Sequence, residues 1–544
     1  MWNNEADSAG GGGMAAESGD WRARDLMWAA TLISTATIVS RLLGFFRNSL
    51  IAAFYGQTAI VDQYNAAYVV PDTIYLLLIG GAISSAFVPV LSAYLTRHQH
   101  EEAARIVNSA LSLVLVVFVP LLLVGELLAP LLVRIVAVGF AGHPAAIAAT
   151  AYLTRIMLAA VLFHALNGVL VGQQYAKKTF WATAIGPLGY NVAIIACGWL
   201  WGHQIGIAAF AWGVLAGAFL NFVIQVVGVA AYGHPFQWVH DWAHPGLKRV
   251  GKLMIPVAVG VGLGQINLVM NQTVLASLLP VGSINALQLA SRIMMTPESL
   301  AASLAIALLP SLSEVVQQRD FQSFRRYLSR GFRVVMALTV PASVLLMLLA
   351  YPLVALLFLH GRFDLHNAAV TAGALVFYAI GIVAWGGIEV VSRGFYALHD
   401  TKSPVLVSAV TIVVGFVLDL WLLHTMKQDG LALAYSLTGF INLGLLFWVL
   451  HFKVHYLDGR QMARTAVRTG IITVLMAGGV LLARAPLGAW LEAPRVPFAE
   501  RAVALLLVTA VAAAVYLWAA ERFHLEEWHW IANRLWRRRA ASSG

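Results

Sequence analysis

Residues 62–77 read DQYNAAYVVPDTIYLL and are followed by AFVPVLSAYL at 86–95; residues 284–300 read INALQLASRIMMTPESL and are followed by AIALLPSLSE at 305–314. Pro71 matches Pro297 and Pro89 matches Pro310, allowing five residues of length difference between them. A third pair follows, GQQYAKKT at 172–179 against GFYALHDT at 394–401. The offset is about 222 residues, so the chain carries one pattern twice. Repeats of this size, set in apolar sequence, are a mark of transporter folds.

The rest of the chain agrees with a membrane setting. Of 544 residues, 60% are hydrophobic and only 11% are charged, and mean hydropathy is +0.78. A soluble protein carries roughly 25% charged residues. Fourteen apolar segments recur nearly end to end, at 26–54, 64–95, 105–129, 145–172, 181–202, 205–231, 252–279, 284–312, 332–359, 367–395, 404–424, 429–452, 466–484 and 499–520. A membrane-crossing helix needs about 20 such residues. The expected class is an all-α polytopic membrane protein of fourteen transmembrane helices.

The repeat offset corresponds to six spans. An even number of spans gives both copies the same orientation, so the expected architecture is two six-helix lobes related by a pseudo-two-fold axis along the membrane normal. The expected N-lobe is 25–231 and the C-lobe 247–452, with two added helices over 466–520 outside the repeat. Residues 1–24 are polar and Gly/Ala-rich, without a basic start followed by an apolar stretch. They are expected to form a disordered cytoplasmic tail rather than a cleaved signal. Residues 521–544 are expected to form a basic cytoplasmic tail.

With both termini placed in the cytoplasm, 25 of the 35 Lys and Arg residues fall on that side, six on the other and four within spans. Orientation follows this bias in short loops. The net charge of +10 is therefore a topology signal, and nucleic acid is not an expected partner. The one cysteine, Cys197, excludes an intrachain disulfide and a cysteine metal cluster.

The four intramembrane arginines are Arg41, Arg47, Arg155 and Arg292. Each costs about 2.5–3.5 kcal/mol at a helix centre on insertion scales, so each needs a partner or a water-filled cavity. Arg41 and Arg47 sit in SRLLGFFRN at 40–48 with Gly44 midway. Six residues place them roughly 9 Å apart along a helix. Arg292 lies five residues before Pro297 in the other half. Together these three would suit a multivalent anion, because guanidinium grips phosphate oxygens bidentately. The alternative is that each snorkels or pairs with Asp62 or Asp72. Arg155, nearer a span end, fits a structural role as well as a functional one.

Asp62 stands at the entrance of the second span and could neutralise a cavity arginine between substrate visits. Asp419, in GFVLDLWLL, is a lone carboxylate deep in the eleventh span. A carbonyl or hydroxyl from a neighbouring span could complete a site for a hard cation such as Na⁺, against the alternative of a hydrogen-bonded structural Asp. The sixteen His residues are dispersed, and the HxxxH at 240–244 lies in a Trp- and Pro-bearing loop. There is no P-loop, HExxH or GxSxG, so neither ATP hydrolysis nor nucleophilic catalysis has a visible site.

SRLLGFFRN, the following Asp62, VPDTIYLLLIGGAISSAFVPVLSAY, the ASRIMMTPESL and LLPSLSE blocks and GFYALHDTKSPV together resemble the MurJ (MviN) family of lipid II flippases. The resemblance runs in order from about 30 to 452 and more loosely beyond. It implies a MATE-like, two-lobed transporter in the bacterial inner membrane, and it makes Arg41, Arg47, Asp62 and Arg292 the substrate-site residues. It implies lipid II, an undecaprenyl-diphosphate-linked disaccharide-pentapeptide, as substrate, with the helices of 466–520 forming a groove for the lipid tail. Tyr75 departs from members that carry Arg four residues after the proline of the second span, and Asn48 from relatives that carry an acid. Some relatives bind Na⁺ in the second lobe, and Asp419 is the position that could match.

The expected function is thus a lipid II flippase that needs no cofactor beyond a possible Na⁺ coupling ion and works as a monomer among membrane lipids. The rivals are an exporter of drugs or other lipid-linked sugars with the same fold, and a polytopic prenyl-phosphate glycosyltransferase. The transferase would need catalytic carboxylates on an outer loop, where only scattered acids such as Asp62 and Asp364 occur.

Overall fold

Long apolar runs in lipid must satisfy every backbone N–H and C=O internally, and the helix does this within one segment. A computed structural model of the chain describes residues 11–79, 82–230, 237–454, 458–492 and 496–527. Among them the long elements are α-helices: α1 Gly11–Tyr55, α2 Ala59–Ile79, α3 Ala82–Thr96, α4 His100–Val136, α5 Pro144–Ala176, α6 Trp181–Ile205, α7 Ala208–Ala230 and α8 Pro245–Val269. They continue as α9 Ser283–Gln317, α10 Phe321–Leu348, α11 Ala350–Phe358, α12 Leu365–Ala397, α13 Lys402–Val454, α14 Gly459–Glu492 and α15 Phe498–Arg522.

Eleven of the described helices are long and apolar enough to cross a membrane. One of them, α13, holds two expected spans, separated at Lys427, where φ 54° and ψ −131° interrupt the helix. α1 covers the first expected span, and α2 with α3 covers the second. α1 starts at Gly11, inside the segment expected to be disordered. Ala, Glu and Arg over 15–24 favour helix and extend the span's own helix backwards. Residues 1–10 of that tail and 528–544 of the basic tail lie outside the described residues.

The sequence repeat extends to the backbone. His98 and Arg319 (φ 57° in both) end helices in the left-handed region, as do Lys178 (φ 60°) and His399 (φ 57°). Each is followed by the same helix-ending hydrogen bond: Gln99 N to Tyr94 O, Asp320 N to Val315 O, Thr179 N to Gln174 O and Asp400 N to Phe395 O. This closure satisfies carbonyls that a helix end leaves unpaired. Gly206 (φ 66°) and Lys427 (φ 54°) form a third pair. All three pairs are 221 residues apart.

The chain divides into two compact units, one of residues 1–50, 70–129 and 151–261, the other of 51–69, 130–150 and 262–544. In the first, an apolar core joins α3, α4, α5 and the start of α8 around Phe87, Leu91, Ile106, Leu166, Leu170 and Leu247. Outside that core α4 turns apolar side chains outward, with Leu127 78% exposed. That is the expected face toward lipid, where apolar exposure is favourable. In the second unit, α9, α10, α12 and α13 share a core around Phe324, Phe332, Val391, Phe395 and Leu446. α14 and α15 pack on α10 and α11 through Met476, Val480, Leu491, Leu505 and Val508.

Polar ties hold α14 and α15 in place. Arg484 donates to the carbonyl of Leu348 (2.9 Å) at the end of α10, and Arg501 to that of Ala355 (3.0 Å) in the last turn of α11, so two guanidiniums bond carbonyls near helix ends. At the opposite end Arg333 pairs with the buried Glu527 (2.9 Å) and with Glu526 (3.2 Å), and Thr465 donates to Glu527.

Candidate functional site

In the first unit α1 presents Arg41 exposed and Arg47 only 7% exposed. The position of α1 is fixed one residue before Arg41. There Asn191 of α6 donates its amide to the Ser40 hydroxyl (3.2 Å), and to its own helix at Pro187 O (3.1 Å). Gly44 faces the same Asn191, with 4.0 Å between its absent Cβ and the side-chain oxygen. A cationic exposed head and a buried second guanidinium thus share one helix.

Tyr75, the departure from the arginine-bearing pattern, packs its ring 4.6 Å from that of His164. His164 in turn meets Tyr190 at 5.5 Å. An aromatic cluster occupies this part of the first unit. Arg155 meets Glu126 across α4 and α5, donating to its carbonyl at 3.0 Å with the carboxylate 4.0 Å away, which gives Arg155 a structural partner. His244 of the HxxxH pair lies 2.9 Å from Glu102 and accepts from the N–H of Gly246, so it ties a loop to α4. No group of three or more His, Cys, Asp or Glu among the described residues could hold a metal ion.

In the second unit Asp62 is 4% exposed and meets the start of α9. One carboxylate oxygen accepts from Gly282 N (2.6 Å) and the other from Asn285 N (3.0 Å). A helix start leaves these N–H groups without intrahelical partners, and the local cap residue here is Gly282, which has no side chain to supply one. A carboxylate from α2 therefore caps α9 across 220 residues and sits at the positive end of its dipole. Asn65, one turn further along α2, donates to the side chain of Asn285 (3.1 Å). Arg292 lies on the same α9, half-buried, seven residues past Asn285 and so roughly 10 Å along the axis.

Close backbone contacts reinforce this region. Arg362 N donates to Ala53 O (2.8 Å), and Gly361 (φ +62°) and Gly56 (φ +65°) lie on either side of that contact. A Cβ at Gly361 would collide with the Ala53 carbonyl, and one at Gly56 would stand 2.7 Å from the Arg362 carbonyl. Only glycine fits either position.

Asp419 is 3% exposed. Asn271, fully buried in a π-helical turn over Met270–Leu275, donates to Asp419 Oδ1 (2.7 Å) and to Leu431 O (2.8 Å). The Tyr378 hydroxyl donates to Asn271 Oδ1 (2.8 Å). The expected neighbouring carbonyl and hydroxyl are there, but what faces the carboxylate is an NH₂ group. A hard cation needs lone pairs directed at it, and an amide nitrogen offers hydrogens. These residues as arranged do not fit Na⁺.

Asn271, Gly282, Gly361 and Tyr378 were not singled out from sequence. Each owes its role to a segment far away in the chain. The one local signal is a glycine two residues after a proline in the LLPVGS stretch at 278–283.

Comparison with known proteins agrees with this architecture. A family model described as "Lipid II flippase MurJ" matches residues 51–492. A protein of Burkholderia cenocepacia named "Lipid II flippase MurJ" is 30% identical over 464 residues, covering 84% of this chain and 89% of its own. A solved structure described as "Lipid II flippase MurJ, inward closed conformation" superposes with a TM-score of 0.75 at 23% identity, covering 91% of this chain and 99% of that one. An inward-facing multidrug resistance MATE family transporter gives a TM-score of 0.65 at 12% identity over 78% of this chain and 98% of its own, so the fold is MATE-like. The chain is an all-helical, multi-span membrane protein, and it belongs to the lipid II flippase MurJ family.

Proposed function

We propose that this chain carries lipid II from the inner to the outer leaflet of the bacterial cytoplasmic membrane by alternating access. The observation that carries the reading is the family match over 51–492, most of the chain. A flippase moves its substrate without making or breaking a covalent bond, which agrees with the lack of a P-loop or nucleophile motif in the sequence.

The chemistry of the substrate assigns the residues. The diphosphate is a compact multivalent anion, and Arg41, Arg47 and Arg292 bind it through bidentate guanidinium contacts. Asp62 acts on the same process by fixing the start of the helix that bears Arg292. α14 and α15 hold the prenyl tail. The protein works as a monomer with both termini in the cytoplasm, as the Lys/Arg distribution favours.

The test is expression of the chain in a bacterium whose own lipid II flippase is depleted. Restored growth and normal cell shape are the expected result. Lysis at normal membrane levels of the chain would contradict the proposal.

A further inference from the structure

We infer that the Asp419 site of this chain is closed to sodium because the amide of Asn271 stands where a cation would have to bind. Asn271 and Tyr378 are fully buried and Asp419 is 3% exposed, so each polar atom here must find a protein partner. The amide does so completely. Its two hydrogens go to Asp419 Oδ1 and Leu431 O, and its oxygen accepts from Tyr378. One side chain thereby links the π-helical turn, α12 and both halves of α13, on either side of the break at Lys427.

The π-helical turn places that side chain. A π turn inserts one residue into a helix and shifts the faces that follow, and such turns often mark functional sites. Here it directs Asn271 inward between Asp419 and Leu431. The amide replaces the ion electrostatically, because its hydrogens present partial positive charge to a carboxylate and a carbonyl.

The orientation of the amide decides the matter. Turned over, Asn271 would set its oxygen 2.7 Å from the Asp419 oxygen and 2.8 Å from the Leu431 carbonyl. An oxygen that close to two other acceptors is repelled by both unless a cation lies between them. The Asp419 carboxylate and the Leu431 carbonyl can only accept, so both favour the orientation that turns the amide hydrogens toward them. The Tyr378 hydroxyl donates to the amide oxygen and completes its hydrogen bonding in that orientation. This inference does not depend on which substrate is carried.

The test uses the purified full-length chain and its thermal unfolding midpoint as NaCl replaces choline chloride at constant ionic strength. The wild-type midpoint is expected to be the same in both salts. Asn271→Asp supplies a second carboxylate in place of the amide and is expected to make the midpoint rise with sodium. At a concentration ten times the dissociation constant, the folded-to-unfolded ratio should rise about elevenfold. A wild-type midpoint that rises saturably with sodium, and ceases to do so in Asp419→Asn, would overturn the inference. An Asn271→Asp chain that folds yet ignores sodium would overturn it too, since the amide would not then be what excludes the ion. The wild-type and Asp419→Asn comparison decides the point even if Asn271→Asp fails to fold.

Discussion

Replacing Asp62 by Ala removes both acceptors that cap α9, and the structure sets the size of the effect. The N–H groups of Gly282 and Asn285 now donate to a buried carboxylate at 2.6 and 3.0 Å. A hydrogen bond to a charged group contributes about 1.5–3 kcal/mol. At about 1.4 kcal/mol per tenfold, loss of each bond should raise hydrogen exchange of that amide roughly 10- to 150-fold. Asp62→Asn should expose only one of the two amides, because its oxygen still accepts while its NH₂ faces the other donor. Hydrogen–deuterium exchange on peptides spanning 280–290 reads this directly, with the centre of α9 as internal control. If Arg292 works only when α9 starts in register, both variants should also complement a flippase-depleted strain poorly at normal membrane levels. Unchanged protection of both amides in Asp62→Ala would refute the capping assignment, whatever the growth result.

Lys427 occupies the backbone region that Gly206 fills at the matching position of the repeat. Strain of about 1–3 kcal/mol at such a residue, less the 0.5–1 kcal/mol that glycine's added freedom costs, predicts that Lys427→Gly stabilises the protein by about 1 kcal/mol. A lowered thermal midpoint would contradict this. Asp400, in the turn before α13, is a partly buried carboxylate. Burial pushes its pKa up, but the Lys453 ammonium 2.6 Å away and hydrogen bonds from Ser403 outweigh that and bring it to about 2. The folded value lies below the unfolded one of about 3.9. The stabilisation is therefore complete above pH 4 and is lost as pH falls toward 2. Asp400→Asn keeps the acceptor for the N–H groups of 402 and 403 but not the ion pair. Its deficit against wild type, about 0.2–1 kcal/mol for a pair of this exposure, should be constant from pH 5 to 7 and shrink between pH 4 and 2. A deficit independent of pH would refute the ion-pair explanation.

The features visible in the sequence are those that depend on local composition. Apolar runs of about 20 residues gave the helices, and the Pro71/Pro297 and Pro89/Pro310 pairs gave the repeat. SRLLGFFRN marked Arg41 and Arg47, because charge in an apolar run is expensive wherever it folds. What stayed hidden depends on contacts between distant segments. Asp62 was visible as an acid near a span, but its work as a cap for α9 comes from a helix start 220 residues away. Asn271 is one neutral residue in the apolar stretch INLVMNQTVL at 266–275, and nothing around it announces a π turn or a meeting with Asp419. Gly361 in HGRFD could be any loop glycine until the Ala53 carbonyl appears against it.

The most direct measurement is the amount of lipid II exposed on the outer leaflet of cells depleted of their own flippase and supplied with this chain. Wild type should restore it. Arg41→Glu, Arg47→Glu and Arg292→Glu should each abolish it at unchanged membrane levels, since a carboxylate repels the diphosphate, and Arg→Lys should impair it at one or more of the three positions. Outer-leaflet lipid II that stays absent with wild type, or is restored equally by all three well-expressed Glu variants, would contradict the account.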